Sequence, residues 1–214
     1  MIVKELKELN QPCEPCSSVE EGEEIAAKLL DYLNNSETGI GLAANQIGIN
    51  KRVCVINCKE PVVLINPIIT EKSKELFVFG EGCLSFPDDF VRTQRHKWVK
   101  VKADNHESEL MFSVWDIGPG DEGYDKHKYL DYAYEVACVQ HEIDHLDGIT
   151  MYDREWVMTP TKRAYDKIGR NEKVEITNGS ETKTLKWKKA EPLVKQGDWS
   201  LSYGTAEVVE WIRH

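Results

Sequence analysis

The residues best suited to chemistry form one short segment, Gln140-His141-Glu142-Ile143-Asp144-His145. In a helix, His141 and His145 lie one turn apart on the same face, where both imidazoles can bind one divalent metal ion. The intervening Glu142 stays unligated and can exchange protons with water that the metal activates. A polar helix face whose side chains only pair with their neighbours is the alternative interpretation. The motif alone leaves both open.

Apolar residues around this motif fall on two helical stripes. A helix that is apolar on two sides is buried, and an unpartnered polar or charged group inside a protein costs several kcal/mol. A metal ion would supply a partner for both histidines. The pattern predicts a buried helix from Tyr132 to Asp147, ended by Gly148 in a left-handed conformation. The two stripes are Val136, Val139, Ile143 and Leu146, and Tyr134, Ala137 and Cys138.

A catalytic metal site needs a third protein ligand. The downstream pattern HExxHxxGxxH fails, because Met151 stands where its last histidine would be. Glu172 and Glu175 are acidic candidates, but no helical pattern surrounds them. The segment EGCLSFP offers Cys83, which a neighbouring glycine and a following proline can present as a thiolate, a strong ligand for Zn²⁺ or Fe²⁺. The alternative role of Cys83 is that of a small buried hydrophobe.

A glycine-rich segment, GIGLAANQIG at residues 39–48, is the third feature of interest. Its first two glycines, Gly39 and Gly41, allow the backbone to approach a ligand closely. It is not a dinucleotide-binding fingerprint, because Ala44 breaks the G-x-G-x-x-G spacing. Gln46 offers a neutral amide donor for a carbonyl that becomes an oxyanion. A glycine-rich turn with a surface glutamine is the alternative.

Taken in order, GIGLAANQIG, EGCLS and QHEIDHLDG resemble the three signature motifs of the peptide deformylase family, over the span from Gly39 to Gly148. The resemblance implies a metal-dependent hydrolase that removes the formyl group from the N-terminal formyl-methionine of newly made polypeptides and releases formate. It also implies roles for nine residues. These are the metal ligands Cys83, His141 and His145, the catalytic acid/base Glu142, the oxyanion donors Gln46 and the Leu84 N–H, and the substrate-binding residues Ile40, Gly41 and Cys138.

The resemblance further implies one divalent cofactor, Fe²⁺ or Zn²⁺, which Ni²⁺ or another divalent transition metal can replace. Its partners are nascent N-formyl-Met polypeptides, and ribosome docking through the carboxyl-terminal segment is a hypothesis. The net charge of −10 argues against general nucleic-acid binding. The amino terminus has no apolar signal region, and no run approaches transmembrane length. We therefore expect a cytoplasmic enzyme without membrane contact, and we favour a monomer.

Two other functions are left open by the residues. The first is an HExxH metallopeptidase with an unrecognised downstream ligand, which would tolerate Cys83→Ser. The second is an inactive homologue that binds nascent chains or ribosomes, although the complete set of Gln46, Cys83 and Glu142 argues against it. Two further cysteine pairs could imitate a zinc site, but prolines interrupt the first pair, and disulfides are not expected in a reducing cytosol. The pairs are Cys13 with Cys16 and Cys54 with Cys58.

The remaining pattern predicts an α+β fold. A helix is expected from Val19 to Leu33, capped by Ser17 or Ser18 and rich in early glutamates. Short strands without helices between them pair in antiparallel fashion, so we expect short antiparallel sheets packed around a central HExxH metal-binding helix. The predicted strands are Arg52–Asn57, Pro61–Asn66, Glu75–Phe79 and Trp98–Ala103.

We expect a catalytic domain over residues 1–158 and a C-terminal extension over residues 159–214. The extension begins with a basic segment, Thr161–Lys173, for which a helix with a solvated charged face is expected. A hairpin follows over Val174–Trp187, signalled by Asn178-Gly179. Within the catalytic part, Ser113–Lys128 is expected to be an inserted acidic loop, with a flap over the peptide groove as the functional alternative.

Overall fold

The computed structural model describes residues 2–114, 122–156, 168–178, 181–196 and 198–202. Its internal contacts divide the chain into two compact units, Met1–Trp156 and Val157–His214. The assignment of a catalytic domain to residues 1–158 and of an extension to residues 159–214 stays a prediction. Helices combine with short antiparallel sheets, so the mixed α+β class expected from the sequence is confirmed.

The described part of the first unit has three α-helices: α1 (Leu6–Leu9), α2 (Val19–Asn34) and α3 (Lys126–Leu146). The Ser18 cap of α2 is confirmed, because its hydroxyl accepts a hydrogen bond from the Glu21 N–H at 3.3 Å. The helix that carries the HExxH motif starts six residues earlier than predicted. Among the described residues, no helix has the length and apolar character needed to cross a bilayer.

The strands of the first unit form three antiparallel groups. In the first group the order is β1 (Gly41–Ala43), β2 (Val53–Ile56), β3 (Val62–Ile65). In the second it is β4 (Ile68–Lys72), β7 (Trp98–Lys102), β8 (Leu110–Ser113). The third is a long hairpin of β5 (Leu76–Cys83) and β6 (Phe86–His96).

All four predicted strands are present, but β1, β4, β6 and β8 lie outside the prediction. In β6 the buried side chains alternate with exposed ones, as in a half-buried strand. The alternation is hidden in the sequence because the buried positions include Thr93 and Arg95 beside the apolar Val91. β1 and β8 are only three and four residues long, too short for a periodic signal.

The core of the first unit surrounds α3. One predicted stripe of the helix is fully buried and belongs to the same apolar cluster as residues of β2, β3, β7 and β8. This stripe consists of Val136, Val139, Ile143 and Leu146. Burying one Val, Leu or Ile side chain contributes about 1.5 to 3 kcal/mol. The second stripe is buried at Ala137 and Cys138, whereas Tyr134 is 39 % exposed, contrary to the prediction. A second apolar cluster joins α2 to the sheet of β1, β2 and β3.

The described residues of the second unit form a three-stranded sheet and one helix. Its elements are β9 (Lys173–Thr177), β10 (Thr182–Lys186), α4 (Trp187–Gln196) and β11 (Ser200–Ser202), with the strand order β10-β9-β11. The antiparallel pairing of β9 with β10 agrees with the predicted hairpin. No helix covers residues 168–172, so that part of the predicted basic helix is wrong, and residues 161–167 lie outside the described residues. Of the predicted acidic loop, residues 115–121 lie outside them as well, and its last three residues belong to α3.

Candidate active site

Cys83, His141 and His145 come together as three buried side chains that could hold a metal ion. Their ligand atoms all lie within 4.8 Å of one another. Sγ of Cys83 is 3.4 Å from Nε2 of His145. The two imidazole rings are 4.8 Å apart between centroids and are tilted by 73°. One sulfur and two ring nitrogens at this spacing are a donor set that suits zinc or iron.

A strand irregularity and the end of α3 help to orient these side chains. Cys83 ends β5 directly after an irregularity in its pairing with β6, and such bulges redirect a side chain. After His145, α3 ends at Gly148, which has a φ of +74° as predicted. A Cβ at Gly148 would lie 2.9 Å from backbone atoms of Gln11 and Pro12, so only glycine fits there. The side-chain amide of Asn45 donates to the carbonyl oxygen of His145 at 2.7 Å and holds the last turn.

Glu142 lies next to these three donors and is buried. A Cβ added to Gly41 would lie 2.6 Å from Oε1 of Glu142, so the carboxylate packs directly on the backbone of β1. Oε2 has no hydrogen-bond partner in the described part of the chain. Burial raises the pKa of Glu142 to about 7, although the positive charges of His141 and Arg95 oppose the rise. A carboxyl group that ionises near neutral pH can both accept and return a proton.

Gln46 is only 1 % exposed, so the surface glutamine considered from the sequence is wrong. Its Oε1 accepts a hydrogen bond from the Ala43 N–H at 2.9 Å, which fixes the orientation of the amide. Its Nε2 then donates to Oγ of Ser85 at 3.2 Å and to Sγ of Cys83 at 3.4 Å. The amide donor therefore lies beside Sγ of Cys83, one of the three possible ligand atoms.

Leu84, Ile40, Gly41 and Cys138 lie at or against the glycine-rich segment. The side chain of Leu84 packs on the glycine-rich segment, since a Cβ on Gly39 would lie 3.0 Å from it. Cys138 is buried, and its thiol donates to the carbonyl oxygen of Ile40 at 3.4 Å. The side chain of Ile40 is exposed at the rim. Gly41 begins β1, one edge of which has no partner strand among the described residues.

Three buried charged residues near the donors were not predicted: Glu81, Arg95 and Asp144. Glu81 Oε2 is 2.9 Å from Nδ1 of His141. Arg95 binds Glu81 through two hydrogen bonds, of 2.6 and 2.8 Å, and also pairs with Asp144. Burial alone would raise the pKa of Glu81, but the hydrogen bonds from Arg95 and His141 hold it at about 2. The Glu81 carboxylate therefore orients His141 and leaves its Nε2 free for a metal.

A cavity of about 420 Å³ lies against another face of α3. Gln140, Asp144 and Arg154 line it, together with Arg95 and residues of β4. None of the three metal-donor side chains takes part in its lining. This cavity is therefore separate from the cluster of Cys83, His141 and His145.

Comparison with known proteins agrees with this geometry. A sequence model of the family described as polypeptide deformylase matches residues 2–164. The chain belongs to the peptide deformylase family. The peptide deformylase of Synechocystis sp. is 34 % identical over 154 residues, which cover 69 % of this chain and 74 % of that protein. The peptide deformylase of Bartonella tribocorum is 36 % identical over 157 residues, or 69 % of this chain and 77 % of that one.

Solved deformylase structures share the fold of the matched part. The crystal structure of peptide deformylase from Thermotoga maritima aligns with a TM-score of 0.60 and 30 % identity, over 73 % of this chain and 97 % of that one. The resemblance drawn from the three motifs is confirmed. As a deformylase, the chain is an enzyme that removes the formyl group from the amino terminus of nascent polypeptides. Residues 165–214 lie beyond the family match.

Proposed function

We propose that Cys83, His141 and His145 bind the metal ion of this deformylase and that Glu142 is its acid/base. One observation carries the proposal: three buried donors converge beside a carboxylate whose second oxygen has no partner among the described residues. Three protein ligands leave one position open, as a catalytic site requires. When bound, a divalent ion lowers the pKa of water and polarises the formyl carbonyl. α3 would thus be the central metal-binding helix expected from the sequence.

The donor set also bears on the identity of the metal. Thiolate and imidazole ligands suit Fe²⁺ and Zn²⁺, and Ni²⁺ can take their place. A thiolate next to Fe²⁺ is sensitive to oxygen. We propose one such ion per chain, and metal analysis of protein purified without oxygen would identify it.

Glu142 handles the protons of the reaction. It accepts a proton from the attacking water, whose oxygen forms a bond to the formyl carbon. As the carbon–nitrogen bond breaks, the same carboxyl group returns the proton to the amide nitrogen, which is otherwise a poor leaving group. The products are formate and a free amino terminus. The contact between Glu142 and the backbone of Gly41 supports this role, because it holds the carboxylate beside the strand that meets the substrate.

Gln46 and the Leu84 N–H stabilise the oxyanion that develops on the formyl oxygen. Support comes from the fixed amide of Gln46, whose Nε2 lies 3.4 Å from Sγ of Cys83. Leu84 follows Cys83 directly, so its N–H belongs to the same turn. One donor of this kind contributes about 2.7 to 4 kcal/mol to the barrier reduction.

The peptide substrate binds along β1. Among the described residues, one edge of that strand has no partner strand, and its backbone groups are available to an extended peptide, which would add to the sheet as a further strand. Gly41 has no side chain, and any Cβ there would collide with Cys138 and Glu142. The small space beside Glu142 therefore suits a formyl group, whose carbon carries only hydrogen, better than a bulkier acyl group. Ile40 and Cys138 form part of the groove wall.

Formate release from a formyl-Met-Ala-Ser peptide tests this function. Protein purified without oxygen should release formate, and Glu142→Ala should lower kcat by about 10²- to 10⁴-fold while its metal content stays unchanged. Glu135→Ala is the matched control, since Glu135 lies on the same helix and pairs with Lys59. Metal-loaded protein without formate release would refute the proposal. Peptide-bond cleavage that survives Cys83→Ser would instead support the metallopeptidase alternative.

Ribosome docking through residues 159–214 is a separate proposal, together with cytoplasmic location and a monomeric state. The basic composition of the segment supports it, because ribosomal RNA attracts lysine and arginine. The full chain should sediment with ribosomes at low salt, and Lys162→Glu with Arg163→Glu should weaken this binding. Sedimentation that these changes leave untouched would refute docking through the basic segment.

A further inference from the structure

Two free thiols that the proposed reaction does not require as nucleophiles meet at one backbone oxygen. Sγ of Cys138 lies 3.4 Å and Sγ of Cys58 lies 3.9 Å from the carbonyl oxygen of Ile40. Because both thiols approach the same oxygen, the two sulfur atoms lie near each other. They are 80 positions apart in the chain, on the loop after β2 and on α3. A buried thiol that shares its acceptor with a second thiol is in a different environment from a cysteine packed only as a hydrophobe.

A second contact holds the loop against the same face of the helix. Lys59 Nζ lies 2.8 Å from Oε2 of Glu135 and 3.6 Å from the ring centroid of Tyr132. Glu135 and Cys138 are three residues apart on α3, so they share a face. Cys58 is therefore kept opposite Cys138 by its neighbour in sequence. A bond between the two sulfurs would join the loop after β2 to α3.

The two thiols differ in access to solvent. Cys58 is half-buried, whereas Cys138 is buried against Gly41. A small oxidant can reach Cys58 first, and Cys138 is then in place to react with the oxidised sulfur. This order of exposure, one accessible thiol backed by a resolving thiol, is typical of redox-sensitive pairs.

We propose that Cys58 and Cys138 are a redox-sensitive thiol pair that closes to a disulfide when the enzyme meets a peroxide. Cys58 releases its thiol proton to solvent, and the thiolate attacks one peroxide oxygen. As the O–O bond breaks, the leaving hydroxide takes up a proton and becomes water, so Cys58 becomes a sulfenic acid. The Cys138 sulfur then attacks the Cys58 sulfur, and the hydroxyl group leaves as water with the Cys138 proton. Two thiols are oxidised while one hydrogen peroxide is reduced to two water molecules. A reversible bond of this kind is compatible with a reducing compartment.

The disulfide changes the groove wall, a consequence that rests on the proposed function. Oxidation removes both thiol hydrogens that face the Ile40 carbonyl. It also ties the Cys138 sulfur, which lies against Gly41 and next to Glu142, to the loop. We expect a lower kcat/KM for formyl-Met peptides in the oxidised enzyme, restored by dithiothreitol.

Peptide mapping by mass spectrometry tests the pair directly. The Zn²⁺-loaded full chain, in which Cys83 is ligated, is treated with hydrogen peroxide, alkylated and digested without reduction. The expected product is a peptide pair joined between Cys58 and Cys138, lighter by two hydrogen atoms. Cys58→Ser should abolish it, whereas Cys16→Ser, another buried cysteine, should leave it unchanged. Lys59→Ala should slow its formation, because the loop loses its contact with α3.

Both thiols recovered in alkylated form after peroxide would overturn the proposal, as would a link from Cys138 to Cys54 instead of Cys58. A disulfide that forms without any change in kcat/KM would overturn its effect on the groove. Peptide mapping does not depend on turnover, so it can detect the disulfide even if the reduced enzyme releases no formate. The failure of the thiol pair and the failure of the proposed function are therefore distinguishable.

Discussion

The two polar faces of α3 differ in how completely their hydrogen bonds are satisfied. On the face towards Cys83, Oε2 of Glu142 and Nδ1 of His145 have no partner among the described residues. On the face towards the cavity, Gln140 makes three hydrogen bonds, two of them to the backbone of His96. Asp144 binds both Arg95 and Arg154 there. One helix thus separates the face of the proposed metal site, the reactive face, from a supporting face whose polar groups are paired.

The energetic cost of the two faces also differs. A buried polar atom without a partner costs about 1 to 3 kcal/mol. On the face towards Cys83, the proposed proton transfer would give Oε2 of Glu142 a partner. The supporting face buries several charges, and only complete pairing makes that tolerable. Glu81 connects the two faces, since it binds Arg95 on one side and His141 on the other. Four substitutions test this division, from the largest expected effect to the smallest.

Arg95→Ala should destabilise the protein by about 3 to 5 kcal/mol, because it leaves the buried carboxylates of Glu81 and Asp144 without their cation. Urea unfolding of the variant at a fixed metal concentration measures this loss. The control is Arg92→Ala on the same strand, where the side chain is exposed and little change is expected. A loss below about 1 kcal/mol for Arg95→Ala would contradict the supporting role of this face.

Gln46→Ala should lower kcat by about 10²- to 10³-fold, because the site loses one oxyanion donor. Steady-state formate release, at a metal content matched to that of the parent enzyme, provides the measurement. Ser85→Ala is the matched comparison, since Ser85 accepts a hydrogen bond from the same amide nitrogen but lies outside the proposed reaction. Equal losses in the two variants would show that the hydrogen bond between them, and not donation to the substrate, matters.

Glu81→Gln should weaken metal binding by about 10- to 100-fold, the usual effect of altering the partner of a metal-binding histidine. The neutral amide still accepts from Nδ1 of His141 but no longer matches the charge of Arg95. Competition with a chelator for Zn²⁺ gives the affinity. Glu75→Gln, an exposed change just before β5, should leave it unchanged. If Glu81→Gln leaves the Zn²⁺ affinity unchanged, the supporting face does not affect metal binding on the reactive face.

Arg154→Ala should cost less than about 1 kcal/mol, because its side chain is 42 % exposed and water replaces much of its interaction. Asp144 keeps its bond to Arg95 in this variant. Urea unfolding compares it with Arg95→Ala, which shares the same carboxylate partner. If Arg154→Ala lowers the free energy of unfolding as much as Arg95→Ala does, the charge network depends on the solvent-exposed Arg154 as much as on the buried Arg95.

Much of the site could be read from the sequence, because each motif keeps its chemical residues within a few positions. His141, Glu142 and His145 are related by one helical turn, and Gly148 ends that turn as predicted. The start of α3 could not be predicted in the same way. Its first turn is polar and depends on Asp125, whose carboxylate accepts from the His127 and Lys128 N–H groups.

Arg95 shows why the supporting face escaped prediction. A charged residue in a strand ordinarily points to solvent, and only pairing across the fold makes its burial possible. Its partners, Glu81 and Asp144, are 14 and 49 positions away in the chain. The alternation of Val91, Thr93 and Arg95 is the only sequence signal that could have predicted a half-buried strand here. It can be recognised only once the register of β6 with β5 is known.

The close packing of Gly148 against Gln11 and Pro12 gives the amino-terminal residues a role that none of the three motifs contains. The Cys13 N–H also donates to the carbonyl oxygen of Leu146 at 2.8 Å, so this arm, residues 2–16, clasps the last turn of α3. During synthesis the arm leaves the ribosome long before the histidines do, and its docking must wait for them. Tags or deletions at the amino terminus therefore act on the far end of the helix that presents His145.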